Sequence, residues 1–311
     1  MILCGDIGGT KAQLALAGDD GRIVHERRIE CAGFSGFASL LGDYLSQIPR
    51  STIAGGCLAV AGPIDDEGVT ARFTNLPWII DTGALARQFA LGPLRLVNDF
   101  TAAAMGVTTL GAEDLLTLQQ GEPRAGGVKL VVGAGTGLGM AILVPDGHGY
   151  RVLPGEGGHA GFAPANELQG HIWEALLKEH GRVTSERVIS GPGIAATHRI
   201  LTGETASPAR IAERALAGEA GALATINVFL HAYGAFAGDM AMAAMARGGV
   251  YIAGGIVLNL LPLLRQGVFL AAFNAKAEHA GLAARMPVHA ATDPRLGLRG
   301  AALLAGNLHG R

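Results

Sequence analysis

The feature that most constrains the fold of this chain is a strand–glycine turn–strand unit that occurs twice. In the first copy, residues 2–4 predict a strand, residues 5–10 (GDIGGT) a glycine turn, and residues 12–17 a second strand. A turn at 18–21 and a third strand at 23–29 follow. Aspartate and glycine between apolar runs favour hairpins, because glycine accepts positive φ without a steric penalty.

The second copy repeats this order in the middle of the chain. Strand 130–132 leads through the glycine turn 133–139 (GAGTGLG) into strand 140–144, and a turn at 146–149 leads to a strand from Tyr150. Two meanders of one design predict a duplicated domain. The length of 311 residues also makes two domains the default expectation.

Helical patterns occupy the rest of the chain, and a domain boundary is placed near Leu110 from the repeat alone. A short buried strand at 250–252 ends in Gly254 and Gly255, where open α/β sheets bind ligands. The predicted helices cover residues 37–48, 85–89, 172–180, 190–201, 223–246 and 296–308.

Residues 153–159 (LPGEGGH) form the most unusual run in the sequence. Each glycine loses extra backbone entropy on ordering, so an ordered run of this kind indicates a backbone bent close to another group. Glu156 and His159 at its ends offer an acceptor and a switchable donor or acceptor to a small polar ligand. The alternative is a surface turn without a ligand.

The two glycine turns are suited to phosphate, because consecutive N–H groups in such turns form a concave anion nest. Thr10 and Thr136 add hydroxyl donors at equivalent places, and Asp6 supplies a carboxylate for Mg²⁺, held through water. Three better-known patterns are absent: GxxxxGK[ST], GxGxxG and GxSxG. Walker-type NTPases, Rossmann dehydrogenases and serine hydrolases of that type are therefore disfavoured.

Composition and charge argue against nucleic-acid and membrane partners. The net charge is −2 with no basic run, and charged residues make up 16 % against roughly 25 % in ordinary proteins. The apolar run 226–246 contains His231 and Asp239, which favours a buried helix over a membrane span. Three widely spaced cysteines, with no signal peptide before the first strand, predict a cytoplasmic protein with reduced thiols.

Taken together, these runs resemble the bacterial glucokinases of the hexokinase/actin superfamily over nearly the whole chain. Any one motif is weak evidence, but eight in the family's order are strong evidence. The motifs are GDIGGT at 5–10, VNDFTA at 97–102, GAGTGLG at 133–139, LPGEGGH at 153–159, FAP at 162–164, SERV at 185–188, SGPG at 190–193 and IAGGI at 252–256.

The resemblance implies two actin-like (ribonuclease H-like) α/β domains with a cleft between them, at residues 1–109 plus about 293–311 and at 110–292. It implies an ATP- and Mg²⁺-dependent glucokinase that forms a homodimer. The implied sugar ligands are Asn98, Asp99, Glu156, His159 and Glu186, with a backbone contribution near Gly137. The implied phosphate-binding residues are Gly5, Asp6, Ile7, Gly8, Gly9, Thr10, Gly133, Gly135, Thr136 and Gly137. Gly254 and Gly255 are expected to lie against the adenosine.

Four of the implied sugar ligands have structural alternatives. Asn98 and Asp99 are also suited to an Asx turn that caps a helix from Thr101. Glu186 is also suited to a helix N-terminus by its charge. His159 is also compatible with a satisfied histidine of the core.

The chain departs from the family pattern directly after its first glycine turn. Lys11 and Gln13 stand where the family usually has Asn and Arg. The run GGTK is more typical of the repressor/open-reading-frame/kinase (ROK) sugar kinases, yet the cysteine-rich zinc motif of that group is absent from the sequence. In a phosphate-facing turn, Lys11 is expected to tighten polyanion binding as a point charge.

The implied reaction is transfer of a phosphoryl group from ATP to the 6-hydroxyl of glucose, with Asp99 accepting the hydroxyl proton. A kinase for another hexose or for an N-acetylated amino sugar is the nearest alternative. A sugar-sensing protein that does not transfer phosphate, and an actin-like filament protein, are alternatives from other classes. Neither uses an intact Asp99 together with Glu156, His159 and Glu186.

Overall fold

The chain folds into two compact units. One consists of Met1–Leu110 together with Asp293–Arg311, and the other of Gly111–Thr292. The computed structural model describes residues 1–18, 21–49, 52–73 and 76–309, with side chains up to residue 306. Asp19 and Asp20 of the predicted turn at 18–21 lie outside the described residues.

Within the described residues the chain forms thirteen strands and eleven helices. The strands are β1 (Ile2–Ile7), β2 (Lys11–Ala17), β3 (Ile23–Glu30), β4 (Gly55–Val60), β5 (Thr70–Arg72), β6 (Ile79–Asp81), β7 (Leu94–Asn98), β8 (Leu115–Gln119), β9 (Lys129–Ala134), β10 (Leu138–Pro145), β11 (Tyr150–Gly155), β12 (Gly249–Ala253) and β13 (Val288–Ala291). The helices are α1 (Phe37–Ser46), α2 (Thr82–Phe89), α3 (Asp99–Val107), α4 (Glu167–His180), α5 (Gly191–Thr202), α6 (Pro208–Leu216), α7 (Ala220–Ala244), α8 (Gly255–Leu264), α9 (Val268–Asn274), α10 (Ala280–Ala284) and α11 (Leu296–His309).

The five strands of the first unit's main sheet have counterparts in the same order in the second unit, whose sheet adds β8 at one edge. In the first unit the order is β3-β2-β1-β4-β7, with β1 antiparallel to β2 and parallel to β4. In the second unit the order is β11-β10-β9-β12-β13-β8, with β9 antiparallel to β10 and parallel to β12. A meander followed by parallel strands therefore occurs twice, which confirms the predicted duplication. The strands β5 and β6 form a separate two-stranded sheet.

Helix α11 returns the C-terminal segment to the first unit, where it covers one face of the sheet. Leu298 and Ala301 pack against Cys4 of β1 and Cys57 of β4, which are neighbours across the parallel pair. Burial raises the pKa of the Cys4 thiol and of the Cys57 thiol to about 12, so both stay protonated. With Cys31, all three cysteines are free and buried, as expected for packing residues.

Helix α7 is long and apolar enough to cross a membrane by length and composition, but it lies in the core of the second unit. In its most apolar window, 61 % of the residues are buried. Tyr233 is fully buried and donates its hydroxyl to the Val132 carbonyl at 3.0 Å. Two polar residues of α7 are also paired: Asp239 binds Lys276 at 2.6 Å, and His231 bonds Gln169 at 3.0 Å. The predicted buried helix is the one observed.

Helices α3 and α11 approach each other so closely that two glycines are required between them. A Cβ on Gly300 would lie 1.7 Å from the Ala102 carbonyl oxygen, and one on Gly106 would lie 2.1 Å from the Leu296 carbonyl oxygen. Backbone oxygens cannot move aside as side-chain ends do. The contact therefore fixes the axial position of α11 against α3.

This contact predicts opposite effects for two glycine-to-alanine changes on one helix. Gly300→Ala should lower the free energy of unfolding by about 1–3 kcal/mol through overpacking. Gly306→Ala, whose Cβ would meet nothing within 4 Å, should raise it by up to about 1 kcal/mol through helix propensity. Urea unfolding of both variants checks this, and equal effects would show that α11 does not pack on α3 in this way.

Candidate functional site

In the first unit, the acidic candidates lie at the carboxyl ends of parallel strands. Asp6 is in β1 and pairs with Ala59 of β4, and Val60 of β4 pairs with Asn98 at the end of β7. Because parallel strands end at the same edge of a sheet, the topology brings Asp6, Asn98 and Asp99 to one edge. This is the edge at which open α/β sheets bind ligands.

The first predicted glycine turn is shorter than the sequence indicated. Strand β1 continues through Ile7, so only residues 8–10 form the turn, which Gly8 closes by donating its N–H to the Lys11 carbonyl at 2.9 Å. Gly5 lies inside the strand, where a Cβ would approach the Leu14 side chain to 2.7 Å. The prediction of a six-residue turn was wrong, since the first glycine is required by core packing.

Asn98 and Asp99 occupy the start of helix α3, which begins two residues earlier than predicted. The Asn98 side-chain oxygen caps the helix by accepting the N–H groups of Phe100 at 2.9 Å and Thr101 at 3.2 Å. Asp99 is the first helical residue, and its carboxylate accepts the Phe100 N–H at 2.7 Å. The capping alternative is thus observed, and it uses the oxygen of the Asn98 amide rather than its NH₂ group.

The two carboxylates at this edge repel each other. Burial, and next the charge of Asp99, raise the pKa of the Asp6 carboxyl to about 6. A partly buried carboxylate close to a second negative charge fits a divalent cation, which would relieve the repulsion. Mg²⁺ bound to nucleotides commonly uses one or two carboxylates and keeps several waters. Asp6 therefore fits the role of a magnesium ligand acting through water.

The raised pKa predicts how stability depends on pH in the protein free of nucleotide and metal. The folded state holds the Asp6 proton more tightly than the unfolded chain, so this contribution to stability is full below pH ~4 and is lost as the pH rises through about 6. Asp6→Asn should therefore stabilise the protein by about 1–3 kcal/mol at pH 7.5 and much less at pH 4.5. Urea unfolding at both pH values measures the difference. A difference that does not change with pH would contradict a raised pKa.

In the second unit, the glycine turn between β9 and β10 is fixed by the start of helix α5. The turn consists of residues 135–137, again shorter than predicted, because Gly133 belongs to β9. Gly135 donates its N–H to the Gly137 carbonyl at 2.8 Å and accepts the Gly191 N–H at 2.8 Å. Thr136 at the tip is exposed. Its hydroxyl is therefore accessible to a ligand.

The glycine-rich run 155–158 approaches the start of strand β10. A Cβ on Gly158 would lie 2.2 Å from the Leu138 carbonyl oxygen, and one on Gly157 would lie 2.6 Å from the Met140 sulfur. None of the three glycines has a positive φ. The backbone is bent close to another group, as predicted, but that group is the protein's own neighbouring strand.

Glu156 and His159 project from this run into solvent. Their side chains are 88 % and 60 % exposed, and the His159 Nε2 lies 3.7 Å from the Glu156 carboxylate. A short 3₁₀ turn, Gly157–His159, brings the two residues to one side. The alternative that His159 is a satisfied core histidine is wrong, because most of its ring is exposed.

Glu186 lies beside the second glycine turn. Its carboxylate Oε2 accepts the Leu138 N–H at 2.8 Å, and a Cβ on Gly137 would lie 2.6 Å from the same oxygen. The residue sits in a 3₁₀ turn, Ser185–Arg187, whereas α5 starts at Gly191 with Ser190 as its cap. Glu186 does not begin an α-helix. Its charge is instead held by a backbone N–H group.

Gly254 follows strand β12, at the cap of helix α8, in a conformation that only glycine adopts easily. Its φ is +102°, and a Cβ would lie 2.4 Å from the Ala134 carbonyl oxygen. Gly255, which begins helix α8, has no atom within 4 Å of its Cβ position. The first glycine is thus explained by the close approach to β9. The second glycine, Gly255, has open space where a side chain would lie at the start of α8.

Lys11 and Gln13, the two departures from the family pattern, are both paired with strand β3. The Lys11 ammonium lies 3.1 Å from the Glu30 carboxylate, and Gln13 donates to Glu26 at 2.5 Å. Lys11 and Glu30 are direct partners in the β2–β3 register. The expectation that Lys11 tightens polyanion binding stays a prediction, and in the structure its ammonium is paired with a carboxylate. Each of the two residues therefore pairs with a carboxylate on the neighbouring strand β3.

Sequence reasoning missed the residues that hold the second unit's candidates in place. Leu138 and Met140 of β10 contact the glycine-rich run, and Leu138 also binds Glu186. Gly191 ties the start of α5 to the glycine turn. No local pattern marks these apolar residues, since their importance comes from strand pairing. Among the described residues no group of three or more His, Cys, Asp and Glu side chains suits a metal ion.

The comparisons with known proteins agree over the full chain. Residues 3–308 match the family model described as Glucokinase. A glucokinase from Trichormus variabilis is 36 % identical, and the match covers 99 % of both chains. The crystal structure of a glucokinase from an Antarctic psychrotroph has a TM-score of 0.87 at 32 % identity and covers 98 % of both chains.

A more distant solved structure shares the fold. A ROK family glucokinase from Streptomyces griseus, solved with glucose and AMPPNP, has a TM-score of 0.69 and covers 98 % of this chain and 99 % of its own. Its identity is 21 %, so the likeness shows the fold alone. The predicted fold class of two actin-like α/β domains is confirmed by these structures.

Proposed function

Because the chain belongs to the glucokinase family, we propose that it transfers the γ-phosphoryl group of ATP to the 6-hydroxyl of glucose. The products are glucose 6-phosphate and ADP. The observation that carries this proposal is the set of polar groups around the start of β10. Exposed Glu156 and His159 and the fixed carboxylate of Glu186 lie on segments that contact the same short strand segment.

These three side chains supply the hydrogen-bonding groups that a sugar requires. One Glu186 oxygen is held by the Leu138 N–H, and the other remains to accept a sugar hydroxyl. Glu156 accepts from hydroxyl groups, and His159 accepts or donates according to its tautomer. A site built to bond hydroxyls rejects an analogue that lacks one, since its polar groups are then left unpaired. We assign all three residues to sugar recognition.

In the first unit we assign Asp99 as the general base. As the 6-oxygen of glucose attacks the γ-phosphorus, Asp99 accepts the hydroxyl proton and ADP leaves with the electron pair of the broken P–O bond. Its place at the first residue of α3, next to the Asn98 cap, fixes the carboxylate on a rigid element. General-base assistance contributes roughly 10²–10⁴-fold to such rates. The NH₂ group of Asn98 is assigned to a sugar hydroxyl.

The two glycine turns are assigned to the ATP phosphates. Their N–H groups and the hydroxyls of Thr10 and Thr136 are donors suited to phosphate oxygens. Bound Mg²⁺, which we assign to Asp6 through water, would neutralise phosphate charge during transfer. Gly254 and Gly255 are assigned to the adenosine, because the start of α8 leaves room at Gly255.

Two alternative functions differ from glucose phosphorylation in what they require of the site. A kinase for another hexose or an N-acetylated amino sugar uses the same base and differs only in sugar preference. A sugar-sensing protein that does not transfer phosphate has no requirement for Asp99. The proposal also includes a cytoplasmic location, which the three free, buried cysteines support, and a homodimeric state, which rests on the family resemblance.

The role of Asp99 is tested by Asp99→Asn. The change keeps the shape and the hydrogen-bonding capacity but removes the ability to accept a proton, so kcat should fall by about 10² or more. Glucose should still bind and still raise the melting temperature. A coupled ADP assay and thermal unfolding with and without glucose, on one preparation, measure both effects.

Asp146→Asn, in an exposed hairpin turn of the second unit, is the matched control and should leave kcat unchanged. Lost glucose binding together with a lower melting temperature in Asp99→Asn would indicate a structural role at the start of α3. Near-normal turnover in the folded variant would show that another group is the base.

A further inference from the structure

The start of strand β10 supports every candidate sugar group of the second unit. The glycine-rich run 155–159, which we call the sugar loop, lies against Leu138 and Met140. Met140 pairs with Gly155 in the antiparallel β10–β11 ladder, so the loop begins directly opposite it. The nearby Glu186 binds the Leu138 N–H. Leu138 and Met140, which alternate along β10, therefore both contact the sugar loop, and Leu138 also binds Glu186.

The Met140 side chain occupies the volume that side chains at two loop positions would otherwise fill. A Cβ on Gly157 would lie 2.6 Å from its sulfur and 3.4 Å from its terminal methyl carbon. A Cβ on Gly155 would lie 3.2 Å from that methyl carbon. The loop backbone thus rests on the thioether, which is unbranched and able to fit an irregular gap.

Leu138 restrains the same loop from the backbone side. A Cβ on Gly158 would lie 2.2 Å from its carbonyl oxygen, which cannot move without displacing the strand. Its side chain is buried in the core of the second unit. One end of the loop is therefore held by a rigid carbonyl and the other by the adjustable end of Met140. Of the two contacts, only the one made by Met140 can be changed without altering the backbone.

We propose that Met140 is a positioning residue for the sugar: its thioether sets the height of the loop and thereby the positions of Glu156 and His159 relative to Glu186. The proposal rests on the assignment of these three residues to glucose. Met140 acts through the loop and makes no hydrogen bond to the sugar itself. A shift of about 1 Å in groups that orient a substrate can cost on the order of 10²-fold.

A purely structural role for Met140 predicts a different outcome. The residue also packs against the hydrophobic core of the second unit. If core packing is its only contribution, removing the thioether should lower stability and leave the KM values for both substrates unchanged. A positioning role predicts a change in the KM for glucose that is not shared by the KM for ATP. The two roles are therefore separable by kinetics.

The test is a size exchange between Met140 and Gly157. Met140→Ala removes the support, and Gly157→Ala pushes a methyl group into the sulfur position. Each single change should raise the KM for glucose about 10-fold, with the KM for ATP within about twofold. Met140→Leu, which keeps most of the volume, should stay close to the wild type.

The double variant Met140→Ala/Gly157→Ala should recover much of the affinity for glucose, because the new methyl group occupies part of the vacated space. Gly161→Ala is the matched control, since its Cβ would meet nothing within 4 Å. Melting temperatures and isothermal titration with glucose accompany the kinetics. They separate folding defects from binding defects.

Equal increases in the KM for glucose and for ATP, or none in folded Met140→Ala, would overturn the positioning role. Additive losses in the double variant would overturn it as well. These outcomes leave wild-type glucose phosphorylation intact, so they are distinguishable from failure of the proposed function. That failure would appear as a wild-type enzyme that neither binds nor phosphorylates glucose, and it would remove both conclusions.

Discussion

The close approach of the glycine-rich run 155–158 to the start of strand β10 is the constraint on which the sugar-binding half of the structure depends. With 2.2 Å between a Cβ on Gly158 and the Leu138 carbonyl oxygen, no side chain fits there. The glycines are required by contact with the protein itself, not by positive φ. They let Glu156 and His159 emerge from a backbone that lies directly on the sheet. The same strand holds Glu186 through its N–H group.

In the first unit, the corresponding constraint is the negative charge of two neighbouring carboxylates. Asp6 and Asp99 reach one edge because β1, β4 and β7 are parallel neighbours. Burial and the charge of Asp99 raise the pKa of Asp6 to about 6. Ionisation of the Asp6 carboxyl is therefore unfavourable in the absence of a cation. Sites for phosphoryl transfer commonly place carboxylates where a metal ion and a reacting hydroxyl require them.

Much of this architecture could be predicted from the sequence because it depends on local signals. Glycine turns between apolar runs located the two meanders, and the sheets repeat one order as expected. The turn lengths were overestimated because Gly5 and Gly133 look like turn residues but belong to strands. One sequence alone cannot show that a glycine is required because a side chain packs against it in space. That requirement is visible only in the folded structure.

Two contacts were not predicted from the sequence: the pairing of Lys11 with Glu30 and the support of the sugar loop by Met140. Both depend on the register between consecutive antiparallel strands, β2 with β3 and β10 with β11. The Met140–Gly155 pair could have been counted outward from the turn at 146–149, since that hairpin fixes the register. The bond from Leu138 to Glu186 spans 48 residues, and no pattern in the sequence connects them.

The most direct test of the central claim is a coupled ADP-release assay with ATP and Mg²⁺ across a panel of hexoses. The panel should contain glucose, mannose, 2-deoxyglucose and N-acetylglucosamine, with a no-sugar control. We expect the highest kcat/KM for glucose, with one glucose 6-phosphate formed per ADP. We expect a markedly lower kcat/KM for 2-deoxyglucose, because the sugar loop and Glu186 bond a hydroxyl that it lacks. ADP release that does not depend on sugar, or a higher kcat/KM for another sugar of the panel, would contradict these expectations.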